Sequence, residues 1–415
     1  MEPKITIMNF NFPDHLNTLL ATLKTAGNYR RFRTLERPVS KFPEGIIRRH
    51  DGSAQNVTIW CSNDYLGMGH NPAVLAAMET ALRTHGAGAG GTRNIAGTTA
   101  EMVALENLLA LHHEKEAALV FTSGYTANEG ALAVLGRMLP DAVIFSDALN
   151  HASMISGMKT GGCEKKIFPH NDIDALKKLL MAEKPGRPKI IAIESVYSME
   201  GSVAPLRDII RLARQFGALT YLDEVHAVGM YGAHGAGMAE QMGVMNDIDI
   251  IEGTFGKAYG VHGGYIAGSH AIVDVIRSFA SSFIFTTALP PAVLAGAAAS
   301  IQHLRTSNVE REKQRHAVDR LKFRLKAAGL PYLDGHSHIV PLIVGDAHCC
   351  QAVSEQLLDR YNIYVQPINY PTVPKGTERL RLTPTACHTD AHVDALTQAL
   401  TTLWQHHQIP LKAIA

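Results

Sequence analysis

The stretch between residues 117 and 268 constrains the fold more than any other feature. Short apolar runs rich in β-branched residues recur along it: AALVF (117–121), AVIFSD (142–147), KIIAIESV (189–196), ALTYLD (218–223), IDIIEGTF (248–255) and GGYIAG (263–268). Between the earlier runs lie helical patterns, among them TANEGALAVLGRML (126–139), DIDALKKLLMAE (172–183) and APLRDIIRLARQFG (204–217). Near-continuous apolar strands separated by helices predict an α/β fold with a mostly parallel sheet covered on both faces. Such sheets bind ligands beyond the carboxyl ends of their strands. The ends of these runs, Ser146–Asp147, Ser195–Ser198, Asp223–His226 and Thr254–Lys257, are polar, ionisable or small, so the site is expected there.

After about residue 300 the pattern changes. A charged helix, NVEREKQRHAVDRLKFRLKAAG (308–329), leads to shorter strands and a final helix over 389–406. The expected organisation is an N-terminal arm (1–56), a large domain (57–300) and a smaller C-terminal domain (301–415). A chain of 415 residues, 46% hydrophobic and 19% charged, can bury a sizeable core. A net charge of +1 removes the electrostatic basis for nucleic acid or an anionic membrane as partner. No apolar run reaches the roughly 18 residues that a membrane span needs. The start, MEPKITIMNFNFPDHLNTLL, lacks the regions of a secretory signal, and a cytoplasmic location is expected. Five scattered cysteines make no disulfide framework, and HCC (348–350) has no second pair at ligand spacing, so no metal is expected.

Two motifs mislead. GAGAGG (86–91) satisfies a dinucleotide fingerprint but follows the helix-like PAVLAAMETALRTHG instead of a strand. GTFGKA (253–258) resembles the end of a phosphate-binding loop, but Ala258 stands where a magnesium-binding hydroxyl is needed.

The chemistry gathers at the strand ends. Asp223 ends ALTYLD, His226 lies three residues on, Lys257 lies 34 residues after Asp223, and His151 stands in SDALNHAS. In ERLRLTP, Arg379 and Arg381 share one strand face and Leu380 and Leu382 the other. Singly, each has an ordinary explanation: a helix cap, a core histidine, a surface amine, an ion pair. Together, an amine able to form an imine, a carboxylate able to pair with a pyridinium nitrogen and a ring able to stack are what pyridoxal phosphate requires. TSGYTAN (122–128), just before a helix, offers the cofactor phosphate backbone N–H groups and hydroxyls, with Thr254 from the lysine strand.

Seven motifs spread over about residues 27–400 carry a wider likeness: NDYLGM, GAGAGGTRNIAGTT, SDALNHASMI, ESVYSMEG, LDEVHAVGMYG, GTFGKAYG and INYPTVPKGTERLRLTPT. On these the chain resembles the α-oxoamine synthases, fold type I pyridoxal-phosphate enzymes. The resemblance implies a transferase with a large, mostly parallel seven-stranded sheet domain and a smaller C-terminal α+β domain. It implies pyridoxal 5′-phosphate as cofactor and a homodimer with active sites at the subunit interface. Residue by residue, it implies Lys257 as covalent anchor and general base, Asp223 as partner of the ring nitrogen, His226 beside the ring hydroxyl and His151 stacked on the ring. Ser198 matches a residue near the ring hydroxyl. Gly124 and Tyr125 match backbone phosphate contacts, and Thr286 one supplied by the second subunit. Arg381 matches the arginine that grips the amino-acid carboxylate, with Arg379 as its structural partner.

Within the family, the chain is similar to the branch that condenses glycine with succinyl-CoA. The likeness rests on Tyr29-Arg30, Thr92-Arg93-Asn94 and Asn369 to Thr372. Arg30, Asn63, Asn94 and Thr372 are expected around the succinyl carboxylate, where charge-assisted contacts reject an uncharged acyl chain. Ser146 is grouped with these substrate contacts. Thr92 is expected to crowd the α-carbon and favour glycine. The alternatives are a relative with another acyl donor, such as glycine C-acetyltransferase or 8-amino-7-oxononanoate synthase, and a non-catalytic scaffold that binds the cofactor. His262, in GVHGG, stands where the family pattern has an apolar residue or cysteine and receives no role.

Overall fold

The computed structural model of the chain describes residues 10–411. Residues 1–9 of the expected arm and 412–415 of the expected C-terminal domain lie outside the described residues. Three N-terminal strands, β1 (Thr34–Glu36), β2 (Glu44–Arg48) and β3 (Ala54–Ile59), pair antiparallel in sequence order. Seven more form the central sheet: β4 (Ala117–Phe121), β5 (Val143–Asp147), β6 (Glu164–Phe168), β7 (Lys189–Glu194), β8 (Ala218–Asp223), β9 (Ile250–Thr254) and β10 (Gly264–Gly268). Their order is β4-β10-β9-β8-β7-β5-β6, with β10 antiparallel to both neighbours and the other pairs parallel.

Six of these strands correspond to the six apolar runs. Every residue of β5, β7, β9 and β10 is buried, as expected of strands covered on both faces. β6 is not among the runs, for a physical reason. It is an edge strand reading EKKIF in which only Phe168 is buried, so it carries charge and little apolar signal. Along β5, Ile144 packs with Leu119, Ile190 and Ile250 against helix Gly124–Met138. Phe145 packs on the other face with Phe168, Ile191 and Leu222. Each such side chain contributes about 1.5–3 kcal/mol on burial.

In the C-terminal part, β11 (Val340–Ile343), β13 (Pro367–Ile368) and β14 (Arg379–Leu382) form an antiparallel sheet in the order β11-β14-β13. Helices Val309–Ala327, Ala347–Tyr361 and Asp390–His406 close a core around Leu342, Leu380, Leu382 and Trp404. Between β11 and β13, β12 (Ile363–Tyr364) pairs parallel with β3, so the N-terminal strands and the C-terminal part share one four-stranded sheet. Among the described residues, no helix is long and apolar enough to cross a membrane.

The register positions the site. Glu194 pairs with Asp223, and Asp223 with Glu252, so β7 and β8 end level with one another and β9 runs two residues farther, to Thr254.

Candidate active site

Asp223 is the last residue of β8 and is buried. Two donors fix its carboxyl group: Asn128 Nδ2 at 2.7 Å from Oδ2 and the Val225 N–H at 2.9 Å from Oδ1. Asn128 is itself held, because Tyr221 donates to its Oδ1 at 2.9 Å. Lys257 lies on the hairpin loop between β9 and β10, which is closed by Phe255 N to Gly263 O and Val261 N to Phe255 O. Its amine is held below the usual lysine range. Burial in the site disfavours the ammonium form more than Asp223 favours it. His262, on the same loop, is exposed.

Gly124 and Tyr125 open helix Gly124–Met138, which Ser123 caps by accepting from Thr126 N at 3.1 Å. First-turn N–H groups have no carbonyl within the helix, and this end is therefore suited to an anion. Thr254 stands beside it: its Oγ1 is 3.5 Å from the place a Cβ on Gly124 would take. The close approach depends on Gly264, where a Cβ would lie 2.3 Å from the Gly124 nitrogen. Amine, carboxylate and helix N-terminus thus follow β9, β8 and β4 at one edge of the sheet, with the start of β10 between β9 and β4, and the residues present fit pyridoxal phosphate.

A second network holds Arg381. Its Nε donates to Ser198 O at 2.7 Å, Nη1 to Asn63 Oδ1 at 3.1 Å and Nη2 to Tyr65 Oη at 2.9 Å. Tyr65 Oη in turn lies 2.9 Å from His226 Nδ1. Burial pushes the His226 pKa well below the usual histidine range, and the cations Lys257 and Arg381 push it the same way. Arg379 points to the same side, donating to Met199 O at 2.9 Å and pairing with Glu200. His151 caps helix Ala152–Gly161, and its Nδ1 lies 2.7 Å from Ser153 Oγ.

A cavity of about 910 Å³ opens beside these groups, with His151, Ser198, Arg30 and Thr372 among its walls. Arg30 Nη2 donates to Thr372 Oγ1 at 2.9 Å across 342 residues of sequence. Asn369 makes this possible by donating to Gly27 O at 3.0 Å, which ties the N-terminal segment to the 369–372 turn. The other expected acyl contacts do not join them. Asn63 is engaged by Arg381. Ser146 is buried and accepts from Asn150 Nδ2 at 2.9 Å. Asn94 is exposed on a π-helical turn (Arg93–Gly97), with the Thr92 hydroxyl donating to it at 2.8 Å. Thr286 lies with that turn, since Thr92 and Thr287 form an antiparallel bridge. Thr92, Asn94 and Thr286 are thus one cluster, and none of them lines the Arg30 cavity.

Two residues of the site carry no role in the sequence reading: Tyr65, which links Arg381 to His226, and Asn128, which holds Asp223. Both lie inside quoted motifs, NDYLGM and TSGYTAN.

The Aminotransferase class I and II family model matches residues 55–400. The chain is 53% identical to 5-aminolevulinate synthase 1 of Cereibacter sphaeroides, over 96% of this chain and 98% of that protein. It is 56% identical to 5-aminolevulinate synthase of Rhizobium meliloti, over 95% and 97%. The chain belongs to the 5-aminolevulinate synthase family. Among solved structures, a serine palmitoyltransferase with PLP superposes with a TM-score of 0.88 at 30% identity, covering 96% of this chain and 98% of that one. The family fold is thus that of a pyridoxal-phosphate enzyme.

Proposed function

We propose that the chain condenses glycine with succinyl-CoA, giving 5-aminolevulinate, CoA and carbon dioxide, as a homodimer with pyridoxal 5′-phosphate. The contact between Arg30 and Thr372 carries the choice of acyl donor. It puts a guanidinium and a hydroxyl into the same cavity as His151 and Ser198, where a second carboxylate would be held.

The cofactor, when bound, withdraws the electron pair that proton loss leaves on the α-carbon of glycine. Asp223, fixed by Asn128 and Val225, holds the proton on the ring nitrogen. The first-turn N–H groups of Gly124 and Tyr125, with Thr254, hold the phosphate. Arg381 grips the glycine carboxylate, braced by Ser198 O, Asn63 and Tyr65. Lys257, with its amine pKa lowered by burial, anchors the cofactor at rest and takes the α-proton in turnover. His151, on the cavity wall, would stack on the ring. Thr92, Asn94 and Thr286 reach the site of the second subunit, where Asn94 joins Arg30 and Thr372 at the succinyl carboxylate.

The test is an acyl-CoA panel with glycine, scored by product mass. Succinyl-CoA should be the preferred donor, and faster turnover of acetyl-CoA than of succinyl-CoA refutes the assignment. Arg30→Ala removes one charge-assisted contact of about 1.5–3 kcal/mol, so kcat/KM for succinyl-CoA should fall about 10- to 100-fold, mostly through KM.

A further inference from the structure

Glu252 lies one strand away from Asp223, in register with it, and residues level on parallel strands share a face. It is fully buried, at 0% exposure, and neither of its carboxyl oxygens has a hydrogen-bond donor. Glu224, equally buried, makes the contrast: its carboxyl group accepts from the Ser195 hydroxyl and from the N–H groups of Met238 and Ala239. Glu252 lies instead against another carboxyl group, that of Asp223. One of its oxygens is 3.0 Å from the place a Cβ on Gly124 would take, beneath the anion-binding helix end.

A buried carboxylate with no donor is unstable, and two carboxyl groups in contact do not both ionise. Burial and then Asp223 push the Glu252 pKa well above the usual range. The other groups that face it are Lys257, Glu194 on β7 and the phenols Tyr221 and Tyr265. Each Asp223 oxygen already accepts one bond, from Asn128 or Val225, and a carboxylate oxygen can accept two. Asp223 therefore has room for one more donor besides a ring nitrogen.

We propose that Glu252 is a positioning residue: it stays an uncharged acid and donates its hydroxyl to Asp223, fixing the orientation and basicity of the carboxylate that meets the cofactor nitrogen. This rests on Asp223 being that partner.

The test uses the full-length protein loaded with pyridoxal phosphate. An infrared difference spectrum between wild type and Glu252→Gln at neutral pH should show the loss of one protonated-carboxyl band. Loss of an ionised-carboxylate band instead, or no carboxyl change, overturns the proposal. A pH titration of the cofactor's visible absorption is the second readout. Glu252→Gln keeps a donor and no charge, so its midpoint should match wild type. Glu252→Leu removes the donor, leaves more charge on Asp223 and should raise the midpoint by about one unit, tenfold in the equilibrium constant. A midpoint lowered in Glu252→Gln means that Glu252 was an anion, and equal midpoints in the two variants mean that it only fills space. Either result refutes the role, and if Glu252→Leu does not fold, the infrared comparison decides alone. Asp223→Asn separates the two readings: an unmoved midpoint in that variant removes Asp223 as the ring partner, whatever Glu252 does.

Discussion

The strand ends around Lys257 and the edge formed by Thr92, Asn94 and Thr286 carry residues of one proposed site, yet they are built in opposite ways. Around Lys257, polar groups are buried and hold one another: Asn128 on Asp223, Tyr65 between Arg381 and His226. At the edge, Asn94 faces water beside Ile95, which is 77% exposed, and Thr286 follows Phe285, which is 81% exposed. The first region makes these hydrogen bonds within one chain. The second presents large apolar side chains with nothing over them, next to polar groups that do not reach the Arg30 cavity. An exposed patch of that composition fits a surface that another molecule covers. If a second copy covers it, Thr92, Asn94 and Thr286 are carried to the other site, and each region is one half of a catalytic unit.

Breaking the first half should have the largest effect. Lys257→Ala should keep the fold and bind cofactor without a covalent link, while turnover falls by at least about 10³-fold. Synthesis from glycine and succinyl-CoA above about a thousandth of the wild-type rate in that variant would overturn the assignment. The same variant tests the division into halves. Asn94→Asp places a carboxylate against the succinyl carboxylate and should be nearly inactive alone. Mixed and re-formed with Lys257→Ala, it should recover about a quarter of the wild-type rate, because half of randomly formed dimers then hold one intact site of two. No recovery on mixing means that Asn94 acts within its own chain.

Acid should loosen the inner half by a smaller, graded amount. His338 packs edge-on against Tyr65 at 4.4 Å between ring centres, and its Nδ1 lies 2.9 Å from Tyr231 Oη. Burial, and next the charge of Arg381, lowers its pKa to about 3. The unfolded chain takes up a proton near pH 6.5 that the folded chain refuses until about pH 3. Stability is therefore lost as pH falls through that window, at about 1.4 kcal/mol per pH unit for this residue. His338→Gln should flatten the dependence of unfolding free energy on pH by that slope, measured by urea unfolding at several values between pH 6.5 and 4.5. An unchanged slope means that His338 is already charged in the fold.

The central sheet was legible because its strands are covered on both faces and read as apolar runs; β6 was not, because an edge strand such as EKKIF has one buried residue. Lys257, Asp223 and Arg381 were legible because each is a rare residue type at the end of an apolar run or on one face of a strand. Tyr65 and Asn128 lie inside NDYLGM and TSGYTAN without a visible role, since their partners lie 161 and 95 residues away in the chain. Glu252 was hidden for another reason. Inside IDIIEGTF it reads as a polar interruption of a strand, and only the register with Asp223 gives it a neighbour. The separation of Thr92 and Asn94 from Arg30 could not be read at all.

The smallest predicted effect returns to the edge. The Thr92 hydroxyl donates to Asn94 at 2.8 Å, and its methyl group takes no part in that bond. Serine keeps the donor and deletes the methyl. If this edge enters the partner's site near the α-carbon, Thr92→Ser should leave the glycine reaction almost unchanged. It should also raise kcat/KM for serine or alanine about fivefold, a modest gain for one methyl group removed from a packed contact. Steady-state kinetics with the three amino acids decide it. No gain on either larger substrate removes Thr92 from the specificity of the site and leaves the edge only its acyl-binding role.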